Sequence, residues 1–107
     1  MTSRRDLLAA LFALAATPAL ARAPDAFTGL DPAAVRRIGE AWRKQHPNIS
    51  IRELTKRLFP AGRGPDALPG LRALAAADFR KGEVFSYRGW RLSDTEGALF
   101  ALISLEG

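Results

Sequence analysis

Residues 83–106 read EVFSYRGWRLSDTEGALFALISLE, and this stretch decides the fold. Apolar residues alternate with polar ones in EVFSY and again in WRL, a pattern typical of strands, and Arg88-Gly89 separates the two as a turn. A two-residue turn would pair the apolar residues of both strands on one face: Tyr87 with Trp90, and Phe85 with Leu92. A slightly longer loop, with Gly89 at positive φ, is the alternative, since Arg88 is unusual in so tight a turn.

The residues after the second strand predict a helix. Ser93 and Glu96 have the spacing of a capping box, in which each side chain bonds the backbone N–H of the other residue. The helix that follows, GALFALISLE, is apolar on most sides. Such a helix lies either in the centre of a core or under something that covers it.

Three more helices are predicted upstream. Asp31-Pro32 is typical of a helix start, and Pro47 ends that helix near Gln45. A second capping box, Ser50 with Glu53, starts the next helix, which ends at Pro60. The third runs from about Asp66 or Pro69 to Arg80. Apolar spacing predicts the inner faces of these helices: Val35, Ile38 and Trp42; Ile51, Leu54, Leu58 and Phe59; Leu71, Leu74, Ala75 and Phe79.

The N-terminus has the three parts of a secretory signal: a basic start, an apolar run from Leu7 and a small-residue end. The run reaches only 15 residues if extended to Ala21, short of the roughly 20 that cross a bilayer as a helix. Within it SRRDLL resembles the twin-arginine export motif, although Ala9 replaces the Lys that often follows. The motif comprises five residues: Ser3, Arg4, Arg5, Leu7 and Leu8. The expected cleavage site comprises Ala19 and Ala21.

These patterns predict a mainly α (α+β) protein: a small bundle of about four helices with one short β-hairpin before the C-terminal helix, preceded by a signal-peptide helix. We expect residues 1–21 to be a cleaved signal, 22–30 a linker and 31–107 a single domain with its hairpin at about 83–92. An uncleaved signal that anchors the chain is the alternative.

Composition excludes several chemistries. The chain has no cysteine and one histidine, His46, so thiolate metal sites, covalent haem and multi-histidine sites are excluded. A hydrolase with His46 as its base lacks a Gly-x-Ser-x-Gly motif. His46 precedes Pro47 at the end of a helix, where we expect it to bind the last carbonyls. We therefore predict no catalytic residue, no cofactor and no enzymatic activity.

Residues 78–96 resemble a group of short proteobacterial proteins that carry twin-arginine signals. The shared pattern is Asp-Phe, a nearby Gly, then Gly-Trp-x-Leu-Ser-x-Thr-Glu, and it falls on these positions: Asp78, Phe79, Gly82, Gly89, Trp90, Leu92, Ser93, Thr95 and Glu96. Arg88 departs from the group, where Asp is frequent. The resemblance is strong over the last third of the chain and implies export and a shared fold.

We therefore expect a periplasmic accessory or binding protein that meets the twin-arginine export machinery and signal peptidase, and that leaves as a small subunit with a cofactor-containing oxidoreductase. Residues 1–21 contain Arg4, Arg5 and Asp6, so +4 of the net charge of +5 lies in the remainder. Dispersed basic helices favour, as the alternative, weak contact with an anionic inner membrane, and the chain has no nucleic-acid motif. Aromatic and arginine residues form the candidate partner surface: Tyr87, Arg88, Trp90, Arg91 and Phe100.

Overall fold

A computed structural model describes residues 4–17 and 31–106, with only the backbone for residues 4–7. The chain is mainly helical, with one antiparallel hairpin before the last helix, as the sequence predicts. The helices are α1 Arg4–Ala16, α2 Pro32–Lys44, α3 Ile51–Leu58, α4 Leu68–Lys81 and α5 Asp94–Glu106, with a 3-10 turn at Pro65–Ala67. The strands are β1 Val84–Tyr87 and β2 Trp90–Ser93.

Helix α5 is the centre of the bundle. Every residue from Thr95 to Ile103 is buried, and α1, α2, α3, α4 and the hairpin all pack against this helix. Its start is the predicted capping box: the backbone N–H of Glu96 donates to Ser93 Oγ at 3.1 Å, and that of Ser93 donates to Glu96 Oε1 at 2.7 Å. Of the two sequence-based alternatives for α5, the structure therefore selects the central position.

Two glycines let α2 and α5 pack closely. A Cβ added to Gly39 would lie 2.6 Å from the carbonyl oxygen of Phe100, and one added to Gly97 would collide with the Trp42 ring. Trp42 is fully buried at this crossing. The small residues therefore fix how closely the two helices approach, because any side chain would push them apart.

The predicted helix boundaries are confirmed to within about two residues. Asp31 caps α2 by accepting from the backbone N–H of Ala33 at 3.0 Å. Ser50 caps α3 by accepting from the N–H of Glu53 at 3.1 Å. Gly82 follows α4 with φ +73°, the left-handed backbone that favours glycine at a helix end.

The inward orientation predicted for three residues is wrong. Ile51, Leu74 and Phe79 are 43%, 37% and 40% exposed, respectively. In α4 the inner face runs through Leu71, Ala75 and Asp78 instead. Asp78 is turned inward because its carboxylate accepts from both the backbone N–H, at 2.7 Å, and the hydroxyl of Thr95 at the start of α5. Phe79 is consequently turned outward.

Helix α1 packs on α5, α4 and the 3-10 turn. Buried apolar residues recur along it: Leu8, Leu11, Phe12, Leu14, Ala15 and Ala16. Ala9 and Ala13, on the other side, are exposed. Residues Arg4–Leu8 of the export motif belong to this helix, whereas Ser3 and the expected cleavage-site residues, Ala19 and Ala21, lie outside the described residues.

Candidate partner-binding surface

The hairpin has the register predicted for a two-residue turn. Tyr87 pairs with Trp90 and Phe85 pairs with Leu92. Arg88 and Gly89 form the turn with φ +47° and +86°, so both residues are left-handed, as a tight hairpin turn requires. Arg88 adopts this backbone at a cost because it carries a Cβ. The turn holds Tyr87 and Trp90 side by side at the end of the sheet.

An apolar groove lies between the end of the hairpin and α2. It has a volume of about 230 Å³ and is lined by Tyr87, Arg88 and Trp90 on the hairpin and by Ala34 and Ile38 on α2. The volume is below the roughly 300 Å³ at which sites for small-molecule ligands begin. A groove of this size suits one or two side chains of a protein partner.

The groove combines one cation with exposed aromatic surface. The guanidinium carbon of Arg88 lies 5.5 Å from the centre of the Tyr87 ring, within the range of a cation–π contact. Trp90 is 37% exposed. An exposed Trp beside a Tyr and an Arg is the combination that contributes most energy at protein interfaces.

The five residues of the predicted surface do not all lie together. Phe100 is fully buried within the core, so its assignment to an exposed surface is wrong for the chain with α1 in place. Arg91 is exposed but pairs with Ser86, so it lies on the opposite face of the sheet from Trp90. The groove therefore keeps Tyr87, Arg88 and Trp90 of the predicted set and adds two residues of α2.

A second polar cluster joins α2, α3 and α5. Trp42 Nε1 donates to Asp94 Oδ1 at 2.9 Å, and Arg57 forms an ion pair with Asp94 Oδ2. His46 stacks on the Trp42 ring with centroids 3.8 Å apart, and its Nδ1 lies 3.0 Å from the Trp42 carbonyl oxygen. Donation from Nδ1 to that carbonyl is the helix-end contact expected of His46. These contacts hold α2, α3 and α5 together, and we therefore assign the cluster a structural role.

Comparison with protein-family models, with curated proteins and with solved structures finds no match to this chain.

Two further findings concern metals and membranes. Within residues 4–17 and 31–106, no three His, Asp or Glu side chains are grouped so that they could hold a metal ion. Among the helices in the described part of the chain, none is both long and apolar enough to cross a membrane.

Sequence reasoning missed one polar residue of particular interest. Arg63 lies in the breaker-rich segment AGRGPD, and its guanidinium bonds the end of α1 together with Glu106 of α5. The side chains of Arg63 and Glu106 are only 12% and 11% exposed. Periodicity gives no signal for such a residue, because its partners are more than 40 positions away in the sequence.

Proposed function

We propose that this chain is a small exported accessory or binding protein of the periplasm, which docks on a larger cofactor-containing oxidoreductase. The observation that carries the proposal is the apolar groove between the hairpin and α2, with Trp90 at its edge. A partner side chain inserted there would be desolvated by Tyr87 and Trp90 and would meet the cation of Arg88. Buried apolar anchors near aromatic and arginine residues dominate the affinity of protein interfaces.

The export part of the proposal rests on sequence features. The stretch SRRDLL, the short apolar run and the small-residue end are together typical of a twin-arginine signal. The resemblance of residues 78–96 to exported proteobacterial proteins supports the same route. Because that route carries folded proteins, a chain without a cofactor of its own has reason to use it if it travels with a folded partner.

Co-purification tests docking. The full chain is tagged at its C-terminus, expressed in its own host and recovered from the periplasm by mild extraction. We expect a larger oxidoreductase to co-purify, and Trp90→Ala to weaken its retention roughly 30-fold, since truncating an interface Trp typically costs about 2 kcal/mol or more.

Ile51→Ala is the matched control, because Ile51 is also a large exposed apolar residue but lies on α3, outside the groove. This variant should keep the partner. Recovery of a monomer with no bound enzyme contradicts the accessory role, and equal losses with Trp90→Ala and Ile51→Ala contradict docking at the groove.

Export is tested separately. Replacing Arg4 and Arg5 by lysine should stop periplasmic accumulation if the twin-arginine route is used. Mass spectrometry of the periplasmic protein should find Arg22 at the N-terminus. Unchanged export by the double-lysine variant contradicts the route, and an unprocessed N-terminus contradicts cleavage.

A second candidate is a peripheral inner-membrane protein. Exposed basic residues on α2 and α3 favour it: Arg36, Arg37, Lys44, Arg52, Lys56 and Arg57. Anionic headgroups attract such residues by about 1 kcal/mol each near the surface, and salt screens that attraction. Retention in the membrane fraction at low salt and release at high salt would favour this candidate over the accessory subunit.

A further inference from the structure

The face of α5 and α4 that α1 covers is shaped to receive a helix. Six residues of α1 between Leu8 and Ala16 are buried there. Two of the six, Ala15 and Ala16, are alanine, and side chains this small allow a helix backbone to pack closely. The complementary face must be apolar in turn, because it removes these side chains from water.

One charged residue marks where the bound helix ends. Arg63 donates from Nε to the carbonyl oxygen of Ala15 at 3.0 Å, and from Nη2 to those of Ala15 and Thr17 at 2.6 and 3.2 Å. The last carbonyls of a helix carry its negative end, and α1 has no basic residue in its own last turn. Arg63 supplies that missing cation from another part of the chain.

The guanidinium of Arg63 is held in place from two other directions. Its Nη1 and Nη2 bond the two carboxylate oxygens of Glu106 at 2.6 and 3.2 Å. Its central carbon lies 5.1 Å from the centre of the Phe59 ring. An arginine fixed by a carboxylate fork and an aromatic face is preorganised, so little order is lost when it binds helix carbonyls.

We propose that this face, which we name the α1 groove, is a helix-binding site that is passed from α1 to a partner. In the full chain α1 occupies it. After removal of residues 1–21, an apolar, alanine- and leucine-rich helix of the partner occupies it in the same direction, with its C-terminal carbonyls on Arg63. The inference rests on the cleavage and partner binding proposed above.

The physical reason is the surface that cleavage would expose. Monomeric proteins seldom leave a contiguous apolar patch of more than a few hundred Å² in water. Without residues 1–21 the chain of 107 residues keeps 86, and a chain this short has little core stability to spare, particularly since it has no cysteine to form a disulfide. A helix that replaces α1 restores both the buried apolar contact and the carbonyl partners of Arg63.

The test uses the full chain with a specific protease site introduced between residues 22 and 30. After cutting, a fluorophore-labelled peptide of residues 1–21 is added as the helix probe, and its exchange into the cut protein is followed by fluorescence anisotropy. We expect saturable binding that unlabelled peptide competes away. Leu11→Asp in the peptide should abolish binding, whereas Ala13→Asp, at an exposed position of α1, should retain it.

Arg63→Gln in the protein should weaken probe binding roughly ten- to hundred-fold, because charge-assisted hydrogen bonds to two carbonyls are lost. Arg52→Gln, at an exposed position of α3, is the matched control and should leave binding unchanged. Circular dichroism of each cut protein checks that the variant is folded.

A second measurement needs no cleavage. The chain has no cysteine, so a single thiol can be placed in α1 and its reaction with a maleimide timed. In the uncut protein, the thiol of Ala16→Cys, a position 3% exposed, should react at least about ten-fold more slowly than that of Ala13→Cys. Adding Arg63→Gln should speed the reaction at position 16.

Equal reaction rates at positions 13 and 16 would overturn the proposal, because α1 would then not be docked. Probe binding that ignores Leu11→Asp or Arg63→Gln would also overturn it. Dimerisation of the cut protein with loss of probe binding would identify a second copy as the occupant and equally overturn it. None of these outcomes bears on export or on docking at the groove between the hairpin and α2. The experiments with Arg4 and Arg5 and with Trp90 test those two proposals separately.

Discussion

Replacing Asp94 by alanine should be one of the most damaging single changes in the bundle, because this carboxylate holds three helices together. It stands at the first position of α5, accepts from Trp42 of α2 and pairs with Arg57 of α3. Its side chain is 20% exposed, whereas the Trp42 side chain is fully buried. The indole N–H of Trp42 would therefore lose its acceptor in a place that water reaches poorly.

The magnitude follows from three contributions. A buried donor left without its acceptor costs about 1–3 kcal/mol. The pair with Arg57, whose side chain is 40% exposed, contributes no more than about 0.2–1 kcal/mol because solvent screens it. A carboxylate in the first turn of a helix contributes about 0.3–1 kcal/mol through the helix dipole. Summed, these contributions lower the free energy of unfolding of Asp94→Ala by about 1.5–5 kcal/mol.

Urea unfolding followed by tryptophan fluorescence measures this loss, since Trp42 lies in the affected cluster. Asp66→Ala is the control: Asp66 is an exposed acidic residue in the first turn of the 3-10 segment, whose start has no side-chain cap. Asp94→Asn separates the causes, because an amide oxygen still accepts from Trp42 while the charge is lost. A loss for Asp94→Ala within 0.5 kcal/mol of that for Asp66→Ala, taking roughly 0.5 kcal/mol as the scatter of ordinary surface substitutions, would refute the reasoning.

Two further predictions concern how α5 is held by its neighbours, and urea unfolding also checks them. Asp78→Ala should cost about 2–4 kcal/mol, because the backbone N–H and hydroxyl of Thr95 both lose their buried acceptor; a loss below that of an exposed Asp would contradict it. Gly39→Ala should cost about 1–2 kcal/mol, because the new Cβ would press on the Phe100 carbonyl. Gly70→Ala, in α4 and open to solvent, should instead stabilise by about 0.5–1 kcal/mol, and destabilisation there would contradict the comparison.

Local signals made the hairpin and the helix starts predictable. Alternation fixes which residues of a strand share a face, so a two-residue turn at Arg88 and Gly89 determines the whole register. The capping box at Ser93 and Glu96 involves residues only three apart, and its bonds follow from their spacing. Both features are settled within a few residues of sequence.

The inner face of α4 was not predictable in the same way. Apolar spacing favours Phe79 over its neighbour Asp78, yet Asp78 is buried because Thr95, 17 residues later, offers it two donors. A carboxylate is buried when its hydrogen bonds are satisfied, and those partners appear only after the chain has folded. The groove between the hairpin and α2 was likewise predictable only in part. The positions of Tyr87 and Trp90 follow from the register, whereas Ile38 joins them only through tertiary packing.

The assignment of Phe100 to an exposed surface was wrong for a related reason. An all-round apolar helix indicates burial but not what buries it, and here the hairpin, the other helices and α1 share that role. The excess of apolar surface on α5 therefore indicates a central helix with neighbours on every side. One of those neighbours, α1, lies within residues 1–21, which we expect to be removed.

The composition of α1 alone does not distinguish an export signal from a core helix. Alanine and leucine in a short run suit a signal because the run is moderately apolar, and they suit a core because small residues permit close packing. A residue outside this segment, Arg63, shows that the domain binds a helix here. Arg63 is nearly buried, is paired with Glu106 and donates to the carbonyls of Ala15 and Thr17. Burying a guanidinium is costly unless it is paired and its donors are used. A domain that binds a helix end with such a residue is built to have a helix at this place, whether that helix belongs to its own chain or to a partner.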